Sequence, residues 1–287
     1  MNAETPAAPA LAPSAFDPAL VAGLHDRPRL FKGLAAHWPA LTAWRFARLA
    51  AMAPRREVAL VDGNREHGRT RFARADLRAY LRALGRPDAR LPYLKEFDLL
   101  AAMPLLRDDH RLDALLPGSH LRSVRTWIGP AGASTGLHHD LLDNLAVQIV
   151  GRKRFRLLPP GSVERLAGVS AKYDPWAVLA RGSAQVFAAQ LRADERGYEV
   201  ELEAGDVLHL PARWWHEVSN PQPGVLLSAF HGPRLPVWGQ WLRVQVRGGL
   251  HRCGLVGRHG CTCHAAATAA GEAQADASGR TSASRSA

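Results

Sequence analysis

The feature that most constrains the fold is a series of short β-like segments that fills the chain after Ser123. Branched and aromatic side chains form these runs, and Gly, Pro and Asn residues mark turns between them. Closely spaced strands of this kind are typical of an antiparallel barrel or a jelly roll. The segments that predict this mainly β region are VRTWIG, NLAVQIV, RFRLLPP, YEVELEAGDVLHLP, WWHEVSN and GVLLSAF.

The residues before and after this region have patterns typical of helices. In RFARADLRAYLRAL, residues 71–84, large apolar side chains recur near helical spacing, which predicts a helix. FDLLAAMPLLRDD predicts a short helix that is broken at Pro104, and VWGQWLRVQV predicts a closing helix. We therefore predict an N-terminal α/β elaboration over residues 15–120, a β core over 121–235 and a closing helix over 236–250.

Both ends of the chain have compositions typical of unstructured segments. The first 14 residues are rich in Ala and Pro, and a glutamate stands where a secretory signal has a basic residue. Residues 265–287 contain almost no large apolar side chain. We predict a disordered lead over residues 1–14, and a Cys/His-containing segment with a disordered tail over 251–287. Because no long apolar run occurs, the sequence favours a cytoplasmic protein with no membrane partner.

The net charge of +11 raises the question of a nucleic-acid partner. Only four of the 37 basic residues are lysine, so arginine dominates beside much Ala and Gly, a bias that codon usage also produces. The basic residues are scattered along the chain rather than clustered. A nucleic-acid partner therefore stays open, and the charge alone does not select it.

The stretch STGLHHDLLDN, residues 134–144, places two His and two Asp among small, apolar and amide residues. On a strand, side chains two positions apart share a face. His138 and Asp140 therefore point the same way, and His139 points to the opposite face. One His and one carboxylate hold a metal weakly, so this strand needs a ligand from another segment.

His216, in GDVLHLPARWWHEV, is the best candidate for that ligand, and we expect Trp214 and Trp215 to form an apolar wall around it. A barrel can bring its strand beside the first one. Two His and one carboxylate on one face of a metal leave three positions open, as in non-haem Fe(II) oxygenases. Zinc is more often held by four protein ligands, or by three and a water molecule. We interpret the remaining core histidines as ordinary surface or packed residues, namely His139, His209 and His231.

Three segments carry a resemblance to a known family. RPRLFKGLAAHWPALTAW resembles the entry segment of the cupin-like JmjC family of Fe(II)- and 2-oxoglutarate-dependent oxygenases. WIGPAGASTGLHHDLLDNLAVQIVGRKRFRLLPP resembles its central signature, and LEAGDVLHLPARWWHEV its third-ligand segment. The similarity runs from Arg27 to Phe230, with the segments in the family's order. It implies a double-stranded β-helix that binds Fe(II), 2-oxoglutarate and O2.

The resemblance also implies roles for single residues in the iron site and in the cosubstrate pocket. Phe230 departs from the family pattern, because some relatives have an asparagine near the iron on this last core strand. This departure leaves the last wall of the pocket and the substrate open. The matched residues are His138, Asp140 and His216 as iron ligands, Lys153 and Thr135 at the far carboxylate of 2-oxoglutarate, Tyr93 as a tyrosine that helps there, and Asn144 as an asparagine that lines the pocket.

The residues themselves support two of these roles. NLAVQIV alternates, so the polar side chains of Asn144 and Gln148 share one face and would line a cavity, while the aliphatic residues pack on the other face. Gly151 permits a tight turn before Lys153. A compact ammonium group fits a narrow pocket that a guanidinium group would overfill, which favours a binding role for this lysine. The alternative is a solvated charge on a strand.

The segment HRCGLVGRHGCTCH raises a second metal hypothesis. Structural zinc sites usually space paired cysteines more widely than Cys261 and Cys263. The segment also borders the predicted tail, so the sequence offers little scaffold for a site. We therefore favour a solvated tail with reduced thiols over a zinc site. The candidate ligands of that zinc site are His251, Cys253, His259, Cys261, Cys263 and His264.

These observations lead to two hypotheses from different functional classes. The leading one is an Fe(II)- and 2-oxoglutarate-dependent dioxygenase that hydroxylates a C–H bond of a protein side chain, an RNA base or a small molecule. The alternative is a non-catalytic cupin-like module that binds or senses a metal or a small acid. The intact ligand set and Lys153 argue against this module, since a pure binder needs no open coordination positions. The sequence leaves open the substrate and whether the closing helix mediates homodimerisation.

Overall fold

The chain folds around two antiparallel β-sheets, in agreement with the series of short strands in the sequence. The structure is a computed structural model that describes residues 8–16, 26–64, 66–67, 70–86, 90–116, 120–232, 234–257 and 260–263. Its strands are, in chain order, β1 (Arg29–Phe31), β2 (Glu57–Asp62), β3 (Arg71–Asp76), β4 (Leu94–Phe97), β5 (Leu121–Gly129), β6 (Ser134–Asp140), β7 (Asp143–Val150), β8 (Lys153–Leu158), β9 (Ala177–Leu179), β10 (Tyr198–Leu202), β11 (Val207–Leu210), β12 (Trp215–Ser219) and β13 (Gly224–His231).

The two sheets have the connectivity of a double-stranded β-helix. The larger sheet has the order β1-β11-β7-β13-β5-β4, and the smaller sheet has the order β10-β8-β12-β6-β9. Successive strands alternate between the sheets from β5 to β8 and again from β10 to β13. A separate antiparallel pair is formed by β2 and β3. The predicted fold class, a mainly β jelly roll with flanking helices, is therefore confirmed.

The larger sheet separates two apolar layers because its side chains alternate between faces. On β7, the side chains of Leu145, Val147 and Ile149 pack outward in one buried cluster. Ala146 of the same strand packs with Phe155 of β8 in a second cluster between the two sheets. The alternation predicted for NLAVQIV is therefore confirmed, and the inner face of β7 points toward the space between the sheets.

The residues before β5 cover the outer face of the larger sheet. Their large side chains, including Trp44 and Tyr80, join the outer apolar cluster and are almost fully buried. This burial of aromatic and aliphatic area explains why the N-terminal elaboration stays attached to the sheet. The helices within the described residues are α1 (Ala40–Ala43), α2 (Phe46–Met52), α3 (Leu77–Leu84), α4 (Leu99–Ala102), a 3-10 helix (Pro104–Asp109), α5 (Leu112–Leu115), α6 (Ser162–Arg165), α7 (Ala184–Ala188) and α8 (Arg234–Arg252).

The prediction of a helix over residues 71–84 is wrong for the first half of this range. The first six of these residues form β3, which pairs with β2, and α3 begins only at Leu77. The carboxylate of Asp76 accepts a hydrogen bond from the Ala79 N–H at 3.0 Å, which caps the helix at this point. Phe72 matched the helical spacing but lies in the strand pair, where its neighbours in β2 replace the expected helical contacts.

The other two predicted helices are confirmed. α4 ends before Met103, and the 3-10 helix begins at Pro104, where the break is predicted. α8 contains the closing-helix segment and continues to Arg252. None of the helices in the described ranges combines the length and the apolar character that crossing a bilayer requires. The homodimer stays a prediction, and we expect its contact on the exposed apolar stripe of α8, formed by Trp238, Trp241, Leu242, Val246 and Leu250.

The disordered lead predicted over residues 1–14 is wrong for residues 8–14. The Leu11 N–H donates to a carbonyl of β10 at 3.3 Å, and the Ser14 N–H donates to a carbonyl of β1 at 2.7 Å. These hydrogen bonds attach the segment to both sheets, and Leu11 also packs against the apolar cluster between them. Residues 1–7 lie outside the described residues.

The C-terminal segment is also more ordered than the sequence indicated. Cys261 forms a parallel β-bridge with Tyr173, and the Thr262 N–H donates to the Tyr173 carbonyl at 3.0 Å. The solvated tail expected from residue 251 onward is therefore wrong for the described part up to Cys263. The disordered tail over residues 265–287 lies outside the described residues and stays a prediction.

Candidate metal centre

The three predicted metal ligands converge on one point of the inner face of the smaller sheet. β6 and β12 are neighbours, and His216 lies directly opposite His138 in their register. Asp140 Oδ2 lies 3.6 Å from His216 Nε2, and Asp140 Oδ1 lies 4.0 Å from His138 Nε2. One ligand atom from each residue lies within 4.8 Å of the others. The structure therefore brings together a set of two imidazoles and one carboxylate that can bind a metal ion facially.

Backbone carbonyls fix the orientation of both histidine rings. His138 Nδ1 lies 2.7 Å from the Gly136 oxygen, and His216 Nδ1 lies 3.0 Å from the Trp214 oxygen. Because a carbonyl oxygen only accepts, each Nδ1 carries the proton and each Nε2 presents its lone pair to the centre. Burial holds the pKa of His216 well below its usual value, and nearby His138 adds to this effect. The neutral imidazole that a metal needs is therefore the resting form.

His139 lies on the opposite face of β6, in agreement with the strand alternation. Its ring packs edge-on against Trp215 with the centroids 4.7 Å apart, and its Nε2 lies 3.9 Å from Glu164. Trp215 itself packs in the outer cluster of the smaller sheet and donates from Nε1 to Glu164. The predicted tryptophan wall is therefore wrong for Trp215, because strand alternation turns it away from its neighbour His216. Trp214 packs in the apolar cluster between the sheets.

A β-bulge places Thr135 on the same face as the metal ligands. In the register of β6 and β12, His138 pairs with His216 while Thr135 pairs with Val218. Three steps along β6 thus match two steps along β12, which is the signature of one extra residue in β6. Val218 belongs to the cluster between the sheets, so its partner Thr135 faces inward as well. Without the bulge, the odd spacing between Thr135 and His138 would put them on opposite faces.

Lys153 projects from β8 into the same interior and is 1% exposed. Its ammonium donates a hydrogen bond to the Tyr93 hydroxyl at 2.7 Å, and Tyr93 also hydrogen-bonds with Thr135. Burial, and to a smaller extent the nearby charge of Lys95, lowers the pKa of Lys153 to about 7. Among the described residues no carboxylate forms an ion pair with this lysine. A buried ammonium group with two hydroxyl-bearing neighbours and no counter-ion is chemically suited to bind the carboxylate of a ligand.

Asn144 lies on the inner face of β7, where the resemblance places it. Its Nδ2 donates to Ser228 at 3.2 Å, while its buried Oδ1 has no hydrogen-bond partner among the described residues. Gln148 on the same face has a buried Oε1 that also has no hydrogen-bond partner among the described residues. Buried polar atoms without partners are rare in native proteins, so these oxygens are expected to meet a ligand or ordered water. They fit a polar cosubstrate between the sheets.

The strand register shows where Phe230, the residue that departs from the family pattern, lies in the pocket. Phe230 lies opposite Asn144 in β7, and its ring centroid is 6.1 Å from that of Trp127. This aromatic pair therefore forms the last wall on the inner face of the larger sheet. His231 is fully buried on the other face, where its ring lies 5.6 Å from that of His209. The interpretation of His209 and His231 as packed residues agrees with these positions.

A buried ion pair that the sequence pattern did not indicate lies beside the site. Lys95 Nζ lies 3.1 Å from Glu66 Oε2, and both side chains are almost fully buried. Glu66 Oε2 also accepts a hydrogen bond from the Gly136 N–H at 3.1 Å. A Cβ at Gly136 would lie only 2.8 Å from the Glu66 Cβ, so this close approach requires glycine. The signal that could have found Lys95 is the scarcity of lysine, since it is one of four in the chain and stands two positions after Tyr93.

An open cleft of about 580 Å³ adjoins this ion pair. Glu66 belongs both to the wall of the cleft and to the contact with Gly136, which precedes His138 by two residues on β6. The cleft is therefore an opening beside the strand of the ligand set that could admit a substrate group. Its lining residues are Glu66, His67, Ser170, Ala171, Lys172, Ala180 and Arg181.

The second predicted group of ligands is brought together in part. His251, Cys261 and Cys263 each place one ligand atom within 4.8 Å of the others. Cys253 is exposed and does not belong to this group. His259 and His264 lie outside the described residues.

Comparisons with known proteins agree with the fold. A family model described as "Cupin-like domain" matches residues 15–234. The Jumonji C domain-containing protein 5 of Drosophila melanogaster is 27% identical over 221 residues, which cover 70% of this chain and 54% of the relative. The human tRNA wybutosine-synthesizing protein 5 is 31% identical over 159 residues, which cover 55% of this chain and 48% of the relative.

A third relative is the lysine-specific demethylase JMJ30 of Arabidopsis thaliana, which is 31% identical over 204 residues that cover 64% of this chain and 45% of the relative. The chain thus spans about half the length of the curated relatives that it matches. The family match includes the inner-face ligand set and the buried lysine. The chain belongs to the cupin-like JmjC-domain family.

Proposed function

We propose that the chain is an Fe(II)- and 2-oxoglutarate-dependent dioxygenase that hydroxylates a C–H bond of its substrate. The observation that carries this proposal is the position of two chemically different groups on one interior face. The first is the facial set of His138, Asp140 and His216. The second is the buried pair of Lys153 and Tyr93. A metal centre of this kind suits many reactions. A buried cation that can bind an acidic cosubstrate beside it favours the 2-oxoglutarate-dependent dioxygenases among them.

The ligand set is suited to hold iron with half of its coordination positions open. Iron with 2-oxoglutarate and O2 supplies the oxidising chemistry, and succinate and CO2 are the expected coproducts. The protein's own contribution is to keep Nε2 of His138 and His216 unprotonated and aimed at the carboxylate of Asp140. The apolar cluster between the sheets limits access of bulk water to this centre.

The cosubstrate is proposed to bind with its far carboxylate on Lys153. The Tyr93 and Thr135 hydroxyls stand beside that ammonium group and can donate to the same carboxylate. Asn144, whose Oδ1 lacks a partner among the described residues, is proposed to line the cosubstrate pocket from the inner face of β7. This assignment explains why a lysine is kept buried at a position where its charge is strongly disfavoured in the free protein.

The substrate is proposed to reach the iron through the cleft beside Gly136 and to be a protein side chain, an RNA base or a small molecule. Lys172 and Arg181 in the cleft wall suit an acidic or phosphate-bearing group, and the net charge of +11 suits a nucleic acid. Mass spectrometry of protein and RNA from cells with and without the gene would locate a product that is heavier by one oxygen atom. Binding of RNA that does not weaken with added salt would argue against an electrostatic nucleic-acid partner.

The alternative is a non-catalytic module that binds a metal and a small acid. One experiment separates the two functions. Purified protein is supplied with Fe(II), ascorbate, O2 and 2-oxoglutarate, and succinate is measured over time, with or without a substrate. We expect succinate in amounts well above one per chain, because uncoupled turnover needs only the two interior groups. Binding of 2-oxoglutarate without any succinate would favour the module.

A further inference from the structure

The described C-terminal segment contains a second potential metal site that the proposed oxygenase chemistry does not use. His251 stands near the end of α8, and Cys261 and Cys263 lie on the segment that returns to the loop around Tyr173. His251 Nε2 lies 3.5 Å from Cys263 Sγ. A tetrahedral zinc ion with ordinary Zn–N and Zn–S bond lengths separates a nitrogen and a sulfur ligand by about 3.6 Å. The spacing of these two ligands therefore fits zinc without rearrangement.

The histidine of this group is oriented as a metal ligand. His251 Nδ1 lies 2.8 Å from the Val256 carbonyl oxygen, so this nitrogen carries the proton and Nε2 faces the thiols. The ring also stacks on Tyr173 with the centroids 4.1 Å apart and the planes at 22°. Both contacts restrict rotation of the ring. A carbonyl partner on the nitrogen that does not bind the metal is the usual arrangement around protein-bound zinc.

Hydrogen bonds and a close turn hold the segment that carries the two thiols, and the sequence alone did not indicate these contacts. The Thr262 N–H donates to the Tyr173 carbonyl and the Tyr173 N–H donates to the Gly260 carbonyl, each at 3.0 Å. The Thr262 hydroxyl donates to Asp174 Oδ2 at 2.6 Å. Gly257 has a φ of +79°, and a Cβ there would lie 2.7 Å from the Cβ of Tyr173 and 2.8 Å from His251 Nδ1. The chain can therefore make this close turn only with glycine. These contacts bring Cys261 and Cys263 back to His251.

We propose that His251, Cys261 and Cys263 bind one structural Zn²⁺ ion, with the fourth position filled by a water molecule. Two thiols and an imidazole form a softer ligand set than the two imidazoles and one carboxylate at the iron centre, and thiolate ligands favour zinc. Zinc binding releases the thiol protons, and the resulting Zn–S bonds link the segment to the end of α8. Without a metal, the contact between Cys263 and His251 is only a weak S–H···N hydrogen bond.

The position of this site gives the zinc a structural role at the rim of the cleft. The Thr70 hydroxyl donates to the Cys261 carbonyl at 3.2 Å and accepts from Lys172 Nζ at 3.0 Å. Lys172 is part of the cleft wall. Zinc would therefore fix the backbone at Cys261. Through the hydrogen bonds from Cys261 to Thr70 and from Thr70 to Lys172, it would also hold one side of the cleft in place.

The test is the metal content of the full chain and its variants, measured by inductively coupled plasma mass spectrometry after growth with added zinc. We expect about one zinc per chain in the wild type and a loss of zinc in Cys261→Ser/Cys263→Ser. Cys253→Ser is the matched control and should keep its zinc, because this exposed thiol lies outside the group. His138→Ala should also keep its zinc, which separates the site from the iron centre.

A second measurement keeps the proposal testable if the double variant fails to fold. Wild-type protein is stripped of metal with a chelator and titrated with Co²⁺ alone under reducing conditions. We expect the near-ultraviolet absorption of cobalt–thiolate bonds, which saturates with one Co²⁺ per chain and is displaced by Zn²⁺. Zinc below about 0.1 per chain together with no thiolate absorption would overturn the proposal. Equal loss of zinc in Cys253→Ser would overturn this ligand set.

Discussion

His138 and His216 are direct cross-strand partners, and their ring centroids lie 4.1 Å apart although they are 78 positions apart in sequence. The pairing of β6 with β12 therefore assembles the metal centre, and the ligand geometry depends on sheet register rather than on a flexible loop. Each ring is fixed by the carbonyl of the residue two positions earlier in the chain. This relationship makes the centre preorganised and leads to the predictions below.

Asp140→Ala should abolish 2-oxoglutarate turnover while the chain stays folded. Asp140 contributes no apolar packing to the clusters on either face of the sheet, so the expected change is the loss of iron occupancy. Iron content and succinate formation are measured on the same sample. His139→Gln is the control, because its side chain lies on the opposite face and keeps a polar group near Glu164. Turnover by Asp140→Ala at the wild-type rate would refute the ligand assignment.

Lys153→Met should raise the KM for 2-oxoglutarate by roughly 30- to 1,000-fold, which corresponds to a loss of about 2–4 kcal/mol for a buried charge-assisted contact. Methionine keeps the length of the side chain but not the charge. Because the ammonium group is buried without a carboxylate partner among the described residues, the free energy of unfolding should not decrease. Lys172→Met at the cleft serves as the control. An unchanged KM in Lys153→Met would mean that another residue binds the acid.

The affinity for 2-oxoglutarate should fall as the pH rises through about 7. Burial lowers the pKa of Lys153 to about 7 in the free protein, and a bound dianion favours the charged ammonium group. Above this pH, binding must take up a proton, so the dissociation constant at pH 8 should be about ten times that at pH 6. Calorimetry with Mn²⁺-saturated protein, in two buffers of different ionisation enthalpy, measures the proton uptake. A pH-independent affinity with no proton uptake would contradict this assignment.

The buried pair of Glu66 and Lys95 should behave as a unit in a double-mutant cycle. Lys95→Met alone leaves a buried carboxylate without its cation and should cost about 3–5 kcal/mol of unfolding free energy. Adding Glu66→Gln should recover much of this loss, because the unpaired charge is then removed. Urea unfolding measures each variant. The exposed pair Glu57 and Arg74 is the control, and breaking it should cost less than about 1 kcal/mol. Additive effects at Glu66 and Lys95 would show that the two side chains are not coupled.

The local alternation of side chains was sufficient to predict much of the centre from the sequence. It placed His138 and Asp140 on one face, His139 on the other, and Asn144 with Gln148 on the inner side of their strand. His216 was chosen from its own segment as the best third ligand, and the roles of Lys153 and Thr135 came from the family resemblance, since nothing local links segments so far apart. The structure supplies the missing link through the pairing of β6 with β12 and of β12 with β8.

One error comes from a local rule that was not applied to Trp215, and the others come from tertiary context that overrides a local pattern. Trp215 was expected beside its neighbour His216, but strand alternation turns it to the outer face. Arg71–Asp76 matched helical spacing, but pairing with β2 extends it as a strand. The bulge in β6 that turns Thr135 inward leaves no mark in the sequence apart from Gly136. The ion pair of Glu66 and Lys95 also leaves no mark in the sequence, because the two residues come into contact only in the folded chain.

The central claim is that the interior binds Fe(II) and 2-oxoglutarate together, and anaerobic absorption spectroscopy tests it most directly. Wild-type protein with measured iron content is titrated with 2-oxoglutarate in the absence of O2. The account predicts a visible charge-transfer band that appears only when Fe(II) and 2-oxoglutarate are both present. The band should be absent in Asp140→Ala, and in Lys153→Met it should require a far higher concentration of 2-oxoglutarate. Iron-loaded wild-type protein that develops no such band at saturating 2-oxoglutarate would contradict the account.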